Sequence, residues 1–277
     1  MYLVEKNGKD FYAMKVLSKE KILGNNYIKY ALTERNVLSY THHPFIVRLN
    51  YAFQTKNKLY LILEYCENGD LGSLLKKKGK LDEGIVQIYA AEIILAIQYL
   101  HKREIIFRDL KPDNVVIDSE GHCKLTDFGL SKEGIDDNFS ANSFCGSLAY
   151  LAPEMLARQG HGKSVDWYLL GVLMYEMLVG KTPYYSTNKE QLLDNIENGD
   201  LYLPRELSNN AKSIIMHLMD RDPCSRLGAS AKDAEAIKEH PFFSDIDWKK
   251  VVSKEYEMPI PERRQSELIP FGSDFFN

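Results

Sequence analysis

The stretch that most restricts what this chain can become is residues 107–129, FRDLKPDNVVIDSEGHCKLTDFG. Val115-Val116-Ile117 and Cys123-Lys124-Leu125 read as short strands, and DSEGH between them is a turn with a glycine available for positive φ. Paired as a hairpin, they return Asn114 and Asp127 to neighbouring positions at its open end. Asp109 and Lys111 lie just upstream, on a loop that Pro112 stiffens. Two carboxylates, an amide and a lysine thus converge from separated positions. A hard cation such as Mg²⁺ takes carboxylate and amide oxygens, which Asp127 and Asn114 supply. A hydroxyl nucleophile needs a carboxylate to orient it and accept its proton, which fits Asp109. A lysine offsets charge on a transferred group, which fits Lys111. Singly, Asp109 and Asp127 also read as turn residues and Lys111 as a solvated cation; the set at this spacing favours phosphoryl transfer.

The rest of the chain divides around this motif. Met1-Tyr2-Leu3-Val4 reads as a strand, Asn7-Gly8-Lys9 as a turn, and Phe11 to Leu17 as a second strand. YIKYALTERNVLSYT has helical spacing with Leu32, Val37 and Leu38 on its apolar side, and His43-Pro44 closes it. Two more strand-like runs follow, IVRLNYAF and KLYLILEY. After CENGD the chain becomes mainly helical. DEGIVQIYAAEIILAIQYLHKREI carries Val86, Ala90, Ile93, Ile97 and Leu100 on one stripe, with acids at its start and His101-Lys102-Arg103 at its end, matching the helix dipole. SVDWYLLGVLMYEMLVG is apolar nearly all round and reads as a central buried helix. The pattern predicts an α+β chain, with a small β-rich lobe before about Glu64 and a large α-rich lobe after it.

Composition excludes little but sets limits. At 277 residues, 44% apolar and 27% charged, the chain can bury a sizeable core. A net charge of -4 argues against a nucleic-acid partner, and Lys76-Lys77-Lys78 reads as a solvated helix face. The four cysteines (Cys66, Cys123, Cys145, Cys224) are scattered without ligand spacing, as expected of reduced thiols in a cytoplasmic protein. The first residues are too polar for a signal peptide, and no uninterrupted apolar stretch reaches spanning length, so we expect no membrane insertion.

FRDLKPDN resembles the catalytic loop of protein kinases, DFG their metal-binding loop, and LAPE (Leu151 to Glu154) the end of their activation segment. YAMK resembles their third-strand motif. The resemblance covers nearly the whole chain and implies a bilobal kinase fold that binds ATP and Mg²⁺. It puts Lys15 on the α- and β-phosphates with Glu34 as its ion-pair partner, Asp109 and Lys111 at the transfer step, and Asn114 and Asp127 on the metal. Asp166 and Arg226 match buried anchors, the latter as the partner of Glu154. The implied organisation is an N-lobe over 1–64, a hinge over 65–69, a C-lobe over 70–247 and a tail over 248–277.

HPFIVRL, LYLILEYCENGDL, FCGSLAYLAPE, DPCSRLGA and HPFFSDIDW are similar to the AGC group, and the lysine of DLKPDN is typical of serine/threonine kinases. The resemblance implies adenine at the hinge Glu64-Tyr65-Cys66. Leu63 guards the back pocket, Asp70 meets the ribose, and Ala13 and Val116 sandwich the ring. Asp70, Asp113 and Glu176 match positions that hold basic residues upstream of the target hydroxyl, although each alone also reads as a surface acid. Phe144, Leu148 and Leu151 match an apolar pocket for the residue after the target. Ser143 sits where the group carries an activating phosphate, placed by an upstream kinase, with Arg108 and Lys132 as basic partners; Ser140 is its nearby competitor. We expect a monomer acting on arginine- or lysine-rich protein substrates.

The departures concern the two ends. Before Lys15 the sequence holds only Gly8, where kinases carry a further strand and a glycine-rich loop over the phosphates. This predicts an incomplete N-lobe with its first strand missing, an unpaired sheet edge at Met1–Val4, and weak ATP binding; a sequence cut short upstream explains it better than a natural loss. PFGSDFFN resembles only the approach to the group's aromatic-acidic tail motif, so the later tail segment, which packs on the small lobe in this group, is expected to be absent. Phe107 replaces the usual His or Tyr but keeps an apolar contact beneath Phe128. The alternative to an active kinase is a pseudokinase that acts as a binding or allosteric partner.

Overall fold

The computed structural model describes residues 1–6, 9–20, 27–130, 132–133, 148–157, 160–261 and 268–270. The small lobe is built on strands β1 (Tyr2–Lys6), β2 (Asp10–Ser18), β3 (Leu49–Gln54) and β4 (Lys58–Glu64), with helix α1 (Tyr27–Tyr40) inserted after β2. β2 lies between β1 and β4 in antiparallel register, so Tyr2 faces Met14, and Ala13 and Lys15 face Leu63 and Leu61. Alternation puts Val4, Met14, Tyr60 and Ile62 into one small apolar cluster, while α1 contributes Val37 and Leu38 to the main core.

Two strand expectations need correction. The edge beyond β1 is not open: β9 (Leu268–Pro270) pairs with it in parallel, Leu3 opposite Leu268 and Glu5 opposite Pro270, giving the order β3-β4-β2-β1-β9. The exposed backbone of an edge strand recruits whatever extended segment reaches it, and here the tail does. The run IVRLNYAF is also split. Val47 N–H donates to Leu125 O and Leu125 N–H to Phe45 O, so residues 45–47 pair with the 115–125 hairpin; β3 starts only at Leu49.

The large lobe follows through α2 (Leu71–Lys78), α3 (Glu83–His101), β5 (Ile105–Ile106), the hairpin strands β6 (Val115–Ile117) and β7 (Cys123–Leu125), and β8 (Lys132–Glu133). Then come α4 (Pro153–Leu156), α5 (Ser164–Val179), α6 (Lys189–Asn198), α7 (Asn209–Leu218), α8 (Ala234–Lys238) and α9 (Trp248–Val252). α5 is buried from Val165 to Tyr175, as its all-round apolarity requires. Gly171 lets α7's end approach it closely, since a Cβ there would lie 2.7 Å from Met219 Cγ. α3 is apolar enough and long enough to pass for a membrane span, but 72% of its apolar window is packed inside the lobe. Past α9 the tail turns back, held by Lys254 Nζ on Asp118 at 2.5 Å and by close contact of Met258 with Gly121.

Candidate active site

The hairpin forms as the sequence pattern requires, with Val115 opposite Leu125 and Ile117 opposite Cys123. Thr126 N–H donates to Asn114 O at 3.0 Å, so Asn114 and the residue before Asp127 are adjacent. Glu92 of α3 fixes the hairpin from behind: its carboxylate meets His122 Nδ1 at 2.5 Å and accepts from Cys123 N–H at 2.8 Å. Glu92 belongs to none of the sequence motifs, although a charged residue inside the apolar run AAEIILAI is the signal of a buried hydrogen-bonding post.

Asp109 is buried, and both its oxygens receive Lys111 Nζ, at 2.9 and 2.8 Å. Asn114 Nδ2 donates to Asp109 Oδ2 at 2.6 Å and to Asp109 O at 2.7 Å. Burial pushes the Asp109 pKa up, only partly opposed by Lys111 and Asn114, and Asp127 adds to the rise. Lys15 Nζ is shared between Glu34, at 2.8 Å from each oxygen, and Asp127 Oδ1 at 3.0 Å. Burial pulls its pKa down, but the Glu34 and Asp127 carboxylates outweigh that and hold it above the ordinary value. The register explains the reach: Lys15 leaves the central strand β2, and Glu34 is a buried residue of α1. Asp127 has φ 62, a left-handed turn that leaves its side chain half exposed while Phe128 is buried edge-on against Phe107, ring centres 5.1 Å apart.

The set suits Mg²⁺. Asn114's amide N–H₂ is spent on Asp109, which leaves its oxygen as the acceptor end, and Asp127 presents an exposed carboxylate. Two oxygen donors are few for a protein-only cage, and among the described residues no cluster of three His, Cys, Asp or Glu side chains exists. Mg²⁺ characteristically binds one or two protein oxygens and completes its shell with water and phosphate.

Around this centre, Leu63 is buried opposite Ala13, and Glu64, Tyr65 and Cys66 lead into the connection between lobes. Glu64 N–H is taken by Arg48 O and its carboxylate by Lys124 at 2.5 Å. Burial, with Glu64 next, pushes the Cys66 thiol up to about 12. Asn68 and Gly69 bond to Ile117, and Asp70 bridges Val116, so the connection is tied to the hairpin. Asp70 also caps α2, accepting Ser73 N–H at 2.7 Å. Gly72 faces a space shared by two acids: a Cβ there would lie 3.3 Å from Asp70 Oδ1 and 3.4 Å from Asp113 Oδ1. Glu176 Oε2 is buried with no hydrogen-bond partner among the described residues, and burial together with Asp113 pushes its pKa up to about 7. Leu151 is buried and Leu148 half-buried beside it; Phe144 and Ser143 lie outside the described residues.

The loop that carries Asp109 is anchored from below. Asp166 of α5 is fully buried and accepts Phe107 N–H at 2.9 Å and Arg108 N–H at 2.7 Å, holding Arg108 at φ 65. His101 is not a helix-end cation in solvent: it is buried, with Nε2 2.8 Å from Asp166 and Nδ1 3.1 Å from Asp233. Burial opposes its charge, but the two carboxylates win and raise its pKa to about 9. Glu154 and Arg226 form a buried two-bond pair at 2.6 and 2.9 Å.

A profile of the protein kinase domain family matches residues 1–243. This chain belongs to the protein kinase family. It is 46% identical over 264 residues to ribosomal protein S6 kinase 2 alpha of Xenopus laevis, covering 94% of this chain and 36% of that protein. It is 46% identical to protein kinase 2 of Dictyostelium discoideum, covering 95% of this chain and 54% of that protein. To human ribosomal protein S6 kinase alpha-2 it is 46% identical over 281 residues, covering 99% of this chain and 38% of that protein. The chain thus spans between about a third and about a half of these relatives' lengths. The AGC resemblance read from the motifs agrees with these relatives.

Proposed function

We propose that this chain transfers the γ-phosphoryl group of ATP to serine or threonine hydroxyls in arginine- or lysine-rich protein segments. The observation that carries the reading is the convergence of Lys15, Glu34 and Asp127 on one side and Asp109, Lys111 and Asn114 on the other, drawn from both lobes. Lys15, held charged and oriented by Glu34, would grip the nucleotide's phosphates. Asp109 would orient the attacking hydroxyl and accept its proton, its raised pKa making it the better proton acceptor. Lys111 would offset charge on the moving phosphoryl group. Asn114 and Asp127 would hold Mg²⁺, which when bound neutralises phosphate charge and orients the nucleotide.

Substrate preference follows from the acids. Glu176, with a buried oxygen unpartnered among the described residues, and Asp113 and the Ser73-bound Asp70, facing the space beside Gly72, would form an acceptor set for a guanidinium or ammonium. Leu148 and Leu151, with Phe144, would receive an apolar residue after the target. Phosphorylation at Ser143 by an upstream kinase would regulate the chain through Arg108 and Lys132. What supports this is Arg108's position: its backbone is pinned by Asp166 immediately before Asp109, so a charge captured by Arg108 acts next to the proton acceptor. The test is transfer of label from γ-labelled ATP to an arginine-rich serine peptide with Mg²⁺. The reading predicts incorporation that vanishes without Mg²⁺ and weakens when citrulline replaces arginine. No incorporation under any of these conditions would reject it.

A further inference from the structure

We propose that Asp233, from the far end of the large lobe, is a positioning residue for the catalytic loop, acting through His101 and Asp166. Its backbone sits at φ 48, ψ -126, a region that glycine enters freely and side-chain-bearing residues avoid. A residue kept in that conformation needs compensating contacts, and Asp233 has them: its carboxylate receives Trp167 Nε1–H at 2.7 Å and faces His101 Nδ1 at 3.1 Å from both oxygens. His101 in turn reaches Asp166 through Nε2, and Asp166 holds the Phe107 and Arg108 amides that precede Asp109. The relay therefore runs carboxylate, imidazole, carboxylate, catalytic loop, and its outer three groups come from three separate elements.

The chemistry assigns each member a task. An imidazole with a carboxylate on each nitrogen must donate from both, so it is the imidazolium. That cation balances the buried charge of Asp166, which also accepts the neutral Phe107 and Arg108 N–H groups. The groups facing His101 are Asp166 from α5 and Asp233 from before α8, with the Trp167 ring edge-on at 5.0 Å. Lys163, which pairs with Glu104, lies close enough to act on Asp233. Without the Asp233 carboxylate, one nitrogen loses its anionic acceptor and His101 sheds its proton at a lower pH. Asp166 is then left without its cation, and its grip on the two amides loosens. The sign follows: the contribution of the native His101 charge is complete below its ordinary pKa of 6.5 and is lost as pH rises through about 9.

The test uses the whole chain carrying Asp233→Asn, with Asp233→Gly as a second variant that removes the carboxylate while relieving the backbone. His101 ring resonances are followed by NMR, Phe107 and Arg108 amide exchange is compared with native at pH 8 and pH 5.5, and kinetics are run at both values. We expect His101 to titrate at least one pH unit lower in both variants. Both amides should exchange about tenfold faster than native at pH 8 and at the native rate at pH 5.5. The kcat should fall about tenfold at pH 8 with both KM values unchanged and recover at pH 5.5. The kinetic arm rests on the phosphotransfer reading; the NMR and exchange arms do not, so they decide the matter even for a chain without activity. An unmoved His101 titration, or amide protection lost equally at both pH values, would overturn the proposal.

Discussion

Replacing Glu176 with glutamine should make the chain more stable and, at the same time, a poorer binder of arginine. The Glu176 carboxylate is raised from an ordinary 4.5 to about 7 by burial and by Asp113, and one of its oxygens has no partner among the described residues. At 1.36 kcal/mol per pH unit, the gap amounts to about 3 kcal/mol at full value; water reaching the half-buried side chain cuts this to about 1–2 kcal/mol. The sign is fixed by the direction. An acid whose pKa rises on folding contributes stability below pH 4.5 and loses it as pH climbs through about 7. Glu176→Gln removes that penalty, so at pH 8 it should raise stability by about 1–2 kcal/mol, or about 3–6 °C in Tm, and at pH 4.5 change little. A substrate arginine, however, loses a charge-assisted hydrogen bond of about 1.5–3 kcal/mol, so its KM should rise about ten- to a hundredfold at pH 8. The assay compares arginine and citrulline peptides on both proteins, alongside thermal melts at the two pH values. A variant less stable at pH 8, or one whose KM rises equally for both peptides, would refute the reasoning.

Other expectations follow from the same geometry. Glu34→Gln leaves Lys15 with Asp127 as its remaining carboxylate and should lower kcat/KM for ATP about a hundredfold with little change in peptide KM, measured by varying each substrate in turn. Arg226→Leu strands the buried Glu154 carboxylate and should destabilise the chain by about 3–5 kcal/mol in urea denaturation, whereas Lys232→Ala, in an exposed pair with Glu239, should cost less than about 1 kcal/mol. Ending the chain after residue 261 removes β9, and the amides of β1 on that edge should exchange about tenfold faster while those of β4 do not change.

What the sequence made legible was what depends on near neighbours. The 115–125 hairpin has its turn and both strands within one short stretch, and its closure alone carries Asn114 toward Asp127. α5 was legible because an all-round apolar helix has only the core to go to. Long-range choices were not. The strand-like run IVRLNYAF identifies extended chain but not its partner, and residues 45–47 take the hairpin instead of β4. Nothing in Leu268–Pro270 marks β1 as its neighbour, because strand pairing is a backbone property. His101 looked like an ordinary basic helix end; only the fold reveals that Asp166 and Asp233 enclose it. Asp70 proved to be both a helix cap and one of the acids facing Gly72, two roles that its sequence position cannot separate.

The most direct test of the account measures ATP affinity and single-turnover phosphate transfer, with Mg²⁺ and an arginine-rich serine peptide, on the native chain and on Asp109→Asn. The account predicts transfer by the native chain and a loss of at least about a hundredfold in the variant, with ATP affinity unchanged, because the proposed role of Asp109 is toward the hydroxyl and not the nucleotide. Equal transfer rates in the two proteins, or ATP bound by both and transferred by neither, would contradict it.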